Sequence, residues 1–533
     1  MKTYDFIIVG AGSAGCVLAE RLSACGKYKV CLLEAGPKDN HWSIHLPIGV
    51  IGLMTNRALN WQYKSEREAT LNQRRVFNPR GKTLGGSSSI NAMLYIRGQK
   101  QDYDHWAELG NNGWGYDDVL PYFKAMQHQE RGQDDYHGTG GPLNVADSRS
   151  KLPVNDDFIL AAQQAGFPLN TDFNGPSQEG IGYYQVTQKN GYRCSAATAF
   201  LTPHLKRKNL TVLTNVQVEK LQLSGKQITG LSYLSKGRRY RLRAEKEVIL
   251  SAGAFNSPQL LMLSGIGPEN ELKQHNIEVK HALEGVGQNL QDHVDVLVVN
   301  RHNRYDLLSF RPGAILWAIK ESWKFITKRS GLLTSSVCES GGFIKSHPNV
   351  SRPDLQFHFI PGAMDDHGRN SKMLFNYGIA LHVCLLRPKS RGKVSLFGNK
   401  AYLHPRIELK MLDDHDDLEK MTAAVKIARE VLDQSPLSDN NGQELIPGSH
   451  CQSDDDIKAF LQQKANTIYH PVGTCKMGQD ELAVVDASLK VHGLQGLRVV
   501  DASIMPTIIS GNTNAPTMMI AAKAADMILE TYS

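Results

Sequence analysis

The sequence predicts a mixed α/β protein: a parallel, nucleotide-binding sheet with a second domain inserted into it. Three observations predict this. A β-rich run at 4–9 passes through Gly10-Ala11-Gly12-Ser13-Ala14-Gly15 into a helical segment, and a second apolar run follows within about thirty residues. The same strand-to-helix habit recurs at 247–263 and again at 497–531. Between these stretches, residues 151–192 and 301–465 carry mixed strands and helices without nucleotide signatures, which places them in the second domain. The first domain is then discontinuous, over 1–150, 193–300 and 466–533.

Taken in order, residues 4–9 are almost all apolar, as a strand covered on both faces requires. Gly10 ends the strand, 16–23 continues as helix, and 30–33 is a second buried strand closed by Glu34. Residues 247–252 predict another buried strand, turned by 253–258 into an apolar helix at 259–263. In the inserted region, 355–360 alternates partly, as a strand with one face on a core or cavity does. At the end come a strand at 497–500, a Gly/Asn/Pro loop and a helix over 517–531. No repeat or low-complexity tract interrupts this order.

Composition narrows the function. A chain of 533 residues, 41% hydrophobic and 21% charged, buries a large core and is neither a minimal module nor disordered. Its net charge of +7 is far short of a dedicated nucleic-acid binder. The basic clusters at 204–208 and 236–246 are accordingly solvated faces. Eight scattered cysteines show no metal-ligand spacing and no disulfide framework, so no metal is expected and the cytoplasm is the expected compartment. The most apolar stretch, 6–19, is too short to span a bilayer, and Asp5 interrupts any signal-peptide pattern; peripheral contact with a membrane stays open.

A bare GxGxxG arises by chance in roughly one chain in three at this glycine content, so context decides. Here it follows a strand, opens a helix, and precedes Glu34 at the end of the next strand. Gly10 permits the tight turn, Gly12 admits a pyrophosphate to the backbone, and Gly15 lets helix and strand pack closely. The helix N-terminus faces the phosphates. Glu34 accepts hydrogen bonds from ribose hydroxyls and repels a 2′-phosphate, which argues against NADP. A second cluster, 80–91, with Gly85, Gly86 and Ser87, supplies close backbone N–H groups for an anion. Two such loops suit FAD better than a nicotinamide dinucleotide.

Together these segments resemble the glucose–methanol–choline (GMC) family of FAD-dependent oxidoreductases, nearest its choline dehydrogenase and bacterial alcohol oxidoreductase branch. The motifs that carry the resemblance are 10–15 with Glu34-Ala35-Gly36, 81–91, 253–258 with 264–267, 466–478 and 498–519. The resemblance implies a Rossmann-like FAD-binding domain with a substrate domain on an antiparallel sheet with helices. It places Ser13, Ala14, Ala35, Ala92 and Val218 along the dinucleotide. It places Asn91, Asp501, Ala502, Asn512 and Thr513 around the ribityl chain and flavin. Where covalently flavinylated members carry a histidine, this chain has Ile90, which implies non-covalent FAD.

Alcohol oxidation needs a base for the hydroxyl proton while hydride leaves for flavin N5. The resemblance implies that the base is His470, in Ile468-Tyr469-His470-Pro471, and that Asn514 orients the alcohol. Ile468 and Tyr469 are expected to wall the pocket, by adjacency. Phe357, His358 and Phe359 are candidates for its lining, and Glu339 is a candidate that reads more readily as a buried structural carboxylate. The expected activity is oxidation of a primary alcohol to an aldehyde, with oxygen or a quinone as final acceptor. The alternative is a hydroxynitrile lyase-like homologue that keeps FAD as a structural group.

Overall fold

The computed structural model describes residues 1–533, save the side chain of residue 371. Its first sheet runs Leu210–Leu213, Val30–Leu33, Lys2–Val9, Arg238–Leu250, Gln227–Ser235, Gln217–Ser224, with Leu497–Val499 also paired to Arg238–Leu250. The first four strands and Leu497–Val499 are mutually parallel, in the registers Phe6↔Val30, Ile7↔Val248 and Val248↔Leu497. Phe6, Ile7, Ile8 and Val30 are fully buried because helices cover the sheet. Helices Ser13–Ala24 and Asn514–Tyr532, from opposite ends of the chain, pack on each other. Arg498 and Glu247 are buried and make a bidentate pair at 2.8 and 3.1 Å, tying the last strand to its neighbour.

Two elements differ from the sequence reading. The strand expected at 247–252 starts at Arg238, because its first half pairs antiparallel with Gln227–Ser235 and turns its arginines to solvent. The helix expected at 259–263 starts at Gly253 and contains Pro258. Proline has no N–H for the carbonyl of Ala254, and that oxygen accepts the Thr474 hydroxyl instead, at 2.6 Å.

The second sheet is antiparallel and ordered Asn441–Ile446, Val294–His302, Gly378–Leu385, Leu355–Ile360, Ser340–Ile344, Gly180–Tyr183; Asn466–Thr467 also pairs with Val294–His302. Residues 294–300, placed by the sequence within the nucleotide-binding domain, belong with 301–302 to the strand Val294–His302 of this sheet. Its apolar run reads the same in either sheet. Leu355–Ile360 is central and buried on both faces, so alternation divides its residues into two sets without saying which faces the cavity. Leu355, Phe357 and Phe359 face the core, where Phe359 stacks on Phe158 at 4.5 Å. Gln356, His358 and Ile360 take the other face. Phe359→Leu is therefore expected to lower stability by about 1–2 kcal/mol, less than full truncation, with KM unchanged. Thermal melting and steady-state kinetics on one preparation check both halves.

Candidate active site

The carboxyl ends of the parallel strands converge on one deep cavity, as open α/β sheets dispose their ligand sites. Val9 and Gly10, Leu33 and Glu34, Ser251 and Ala252, and Asp501 all line it. The two glycine loops meet there. A side chain on Gly86 would lie 2.7 Å from the Gly12 Cα, and one on Gly15 would lie 1.9 Å from the Gly10 carbonyl, so neither contact survives a Cβ. The Gly85 N–H, one residue earlier, donates to the Ala11 carbonyl at 2.7 Å and locks the loops together. Backbone thus approaches backbone where a pyrophosphate needs N–H groups.

Glu34 is 6% exposed, and each of its oxygens accepts one backbone N–H, from Ala11 at 3.0 Å and Gly36 at 2.8 Å. Burial pushes its carboxyl up to about 7. Asp501 accepts from the Gly253 and Ser503 N–H groups and from the Ser257 hydroxyl, which fixes the loop that carries Ala502.

Of the residues predicted from sequence, Gly10, Gly12, Ser13, Ala14, Glu34, Ala35, Gly86, Ser87, Asn91, Ala92, Val218, Asp501, Ala502, Asn512 and Thr513 line the cavity, with Ile468, Tyr469, His470 and Asn514. Gly15 and Gly85 stand behind it as supports. Two expectations for the pocket are corrected. Phe357 and Phe359 point into the core, leaving His358 on the cavity wall. Glu339 takes the structural role that the sequence favoured: it is fully buried, off the cavity lining, and accepts from Asn155 at 2.8 Å.

His470 sits where the two sheets supply its partners. Its Nδ1 is 3.0 Å from Nδ1 of His293, and Nε2 of His293 is 3.1 Å from the Ile509 carbonyl oxygen. A carbonyl only accepts, so His293 carries its proton on Nε2 and offers Nδ1 as a lone pair; His470 must then donate from Nδ1. Its Nε2 is left unprotonated. That nitrogen accepts from Nδ2 of Asn512 at 3.2 Å, and the Asn512 oxygen in turn accepts from Gln356 at 3.1 Å, which fixes the amide's orientation. Burial first, then the neighbouring His293, holds His470 well below the ordinary histidine value. Burial likewise brings His293 down to about 4. Both rings are neutral at physiological pH.

Asn512, not Asn514, therefore partners His470. Asn514 opens the C-terminal helix, and its amide oxygen accepts the Ser13 hydroxyl at 2.7 Å, toward the first glycine loop. Sequence reasoning also missed the residues that hold the histidine loop. Asp292 accepts the His470 N–H at 2.8 Å and the Thr467 hydroxyl, and Arg80 donates to the Tyr469 carbonyl at 2.6 Å. These bonds hold Tyr469 at φ +73, a conformation costly for a non-glycine residue. The adjacent pair Asp292-His293, just before an apolar strand, was the available signal.

Beyond His470 the cavity ends in Val337, Ile360, Met364, His358, His367 and His382. His382 Nδ1 contacts the buried Asp295 carboxylate at 2.8 Å, and the three groups Asp295, His367 and His382 offer ligand atoms within 4.8 Å of one another. Residue spacing, from which no metal was expected, gives no sign of that grouping. Burial lowers His358 to about 3 and His367 well below its usual value. The neutral imidazoles of His358 and His367 and aliphatic side chains line this end.

Comparison with known proteins decides the family. Residues 4–295 match the N-terminal and residues 388–521 the C-terminal GMC oxidoreductase family models. The chain belongs to the GMC oxidoreductase family. It is 47% identical over 529 residues to the alcohol dehydrogenase [acceptor] of Pseudomonas putida, covering 99% of this chain and 96% of that one. Human mitochondrial choline dehydrogenase is 44% identical, over 98% of this chain and 89% of its own length. A formate oxidase of Aspergillus oryzae RIB40, studied for modification of its FAD, superposes with a TM-score of 0.91 at 27% identity, covering 100% and 99% of the two chains. As a GMC oxidoreductase the chain is a flavoprotein enzyme acting on CH–OH donors. The two touching glycine loops and the buried Glu34 acceptor fit the dinucleotide of that cofactor.

Proposed function

We propose that this GMC oxidoreductase oxidises an uncharged primary alcohol to the aldehyde, with FAD held by contacts alone. The observation that carries the reading is the oriented pair at the cavity wall: the unprotonated Nε2 of His470 hydrogen-bonded to the Asn512 amide. When bound, FAD supplies the hydride acceptor at its flavin ring. The chain supplies the rest. The alcohol hydroxyl replaces the Asn512 N–H at His470 Nε2, which takes the hydroxyl proton while its own Nδ1–H stays donated to His293. Asn512 has a second N–H with which to hold the alcohol oxygen and stabilise developing negative charge. Asp292 and Arg80 keep the histidine loop in place during turnover.

The lining supports an uncharged substrate. Among the described residues the only carboxylates on it, Glu34 and Asp501, lie at the cofactor loops and accept from backbone donors. The far end offers the neutral imidazoles of His358 and His367, which suit a neutral alcohol better than a quaternary ammonium such as the choline of the human relative. Anaerobic mixing with a series of alcohols, read as loss of flavin absorbance, tests this. Bleaching by neutral primary alcohols and not by choline is expected. Bleaching by choline alone overturns the substrate class, and turnover of cyanohydrins without bleaching overturns oxidation.

Non-covalent attachment makes its own prediction. Ile90 lines the cavity and has no nitrogen to alkylate. Acid precipitation is expected to release all the FAD into the supernatant. Yellow colour kept in the pellet assigns an attachment residue elsewhere.

A further inference from the structure

The helix Pro312–Lys328 lies outside the site and has two apolar faces, of which the fold uses one. Ala314 and Phe325 are buried, Phe325 meets Tyr192 edge-on at 5.2 Å, and half-buried Trp317 packs on the second core. The opposite face carries Leu316, Ile319, Trp323 and Ile326, which are 70, 64, 65 and 63% exposed. Their spacing of three, four and three residues places them on one stripe. At the helix's N-terminal end Phe310, in edge contact with Phe375 at 5.5 Å, adds two more exposed rings. Single exposed apolar residues are ordinary, but a continuous stripe of this kind marks a surface that meets something.

Charge identifies what it meets. Residues 311–329 hold Arg311, Lys320, Lys324, Lys328 and Arg329 against one carboxylate, Glu321, which pairs with Lys324 at 2.6 Å. These nineteen residues thus carry four of the net seven positive charges of the whole chain. Lys320, Lys324 and Lys328 follow one another at four-residue spacing along the flank of the stripe. A second copy of the chain on this face would set two cationic patches against each other, and a convex helix face offers no groove to a peptide. An anionic bilayer matches both features: its acyl boundary takes the stripe, and its headgroup phosphates take the lysines.

We propose that Pro312–Lys328 is a docking helix that lies in the interface of an anionic membrane. No helix is long and apolar enough to cross a membrane among the described residues, so the attachment is peripheral. The chain continues through Leu332–Thr334 into Ser336, Val337 and Cys338, which line the cavity, so the docked surface lies one short segment from the site wall. This inference does not depend on the identity of the alcohol or of the base.

Sedimentation of the FAD-loaded enzyme with vesicles tests it. The enzyme is expected to pellet with vesicles of phosphatidylglycerol and phosphatidylcholine, and much less with phosphatidylcholine alone. The double variant Leu316→Glu/Trp323→Glu is expected to bind at least about tenfold more weakly. Its melting temperature and alcohol-dependent dye reduction are expected to stay at wild-type values, since both side chains are exposed and neither lines the cavity. Lys320→Glu/Lys324→Glu is expected to weaken only the binding that needs the anionic lipid. The proposal is overturned if the wild-type enzyme stays in the supernatant with the anionic vesicles, or if the Leu316/Trp323 variant pellets as the wild type does. A concentration-dependent dimer in sedimentation velocity, abolished by that variant, gives the face to a second copy and overturns it equally.

Discussion

Replacing His470 with alanine is expected to slow flavin reduction by alcohol by about 10² to 10⁴-fold, the usual contribution of a positioned general base, while FAD stays bound. The two asparagines then separate. Asn512→Ala removes the group bonded to Nε2 of the base and is expected to cost up to about 10²–10³ in the same rate, as loss of a donor to a developing oxyanion does. Asn514→Ala removes a single hydrogen bond with Ser13 and is expected to cost about tenfold or less. Rate alone does not assign the base, because the first two ranges overlap. The pH dependence does. Burial and His293 hold His470 well below the ordinary value of about 6.5. The neutral, proton-accepting form is therefore the one populated above that lowered value. Wild-type reduction is expected to be level through neutral pH and to fall only toward acid, below about 6.5, as the ring protonates. Asn512→Ala should keep that acid limb, and His470→Ala should lose it. Stopped-flow reduction at a series of pH values measures both. If His470→Ala reduces its flavin within about threefold of wild type and keeps the limb, another group is the base.

What the sequence disclosed followed from how local each constraint is. The first glycine loop was legible because its demands are made on backbone: Gly10 needs φ +100, and Gly15 and Gly86 need room that no side chain leaves. Those demands act within a few residues, so they leave a pattern. The base was legible only through family resemblance, since a histidine between tyrosine and proline declares no role. Choosing between Asn512 and Asn514 was beyond the pattern, because two like residues two apart both suit the task. Which of them bonds to His470 is set by Gln356, 156 residues from Asn512 in sequence, which turns the Asn512 amide. His293 was hidden for the same reason: it meets His470 across 177 residues. Phe357 and Phe359 were assigned to the wrong face because a strand buried on both sides has no polar set to mark the outside.

Glu34→Arg is expected to abolish FAD retention, and with it all alcohol oxidation. The carboxylate already accepts the Ala11 and Gly36 N–H groups, one on each oxygen, and each oxygen keeps a further lone pair for a ribose hydroxyl. Arginine accepts nothing, so it leaves two buried N–H groups unpaired, each costing about 1–3 kcal/mol, and sets a cation in the place of the acceptor. Gel filtration should strip the flavin, and melting should occur at a lower temperature. Loss of stability alone could produce that result, so the conservative variant carries the argument. Burial pushes the Glu34 carboxyl up to about 7, whereas hydroxyl donors from the ribose favour its charged form. FAD binding must then release a proton when the pH is below about 7, so affinity should rise as pH climbs to that value and level off above it. Glu34→Gln keeps the size and one acceptor oxygen but cannot ionise. Its FAD affinity is expected to be weaker at high pH and independent of pH, reaching the wild-type value only in acid. Titration of flavin-free enzyme with FAD across the neutral range reads both curves. Parallel pH dependence in wild type and Glu34→Gln would show that Glu34 does not bind the ribose.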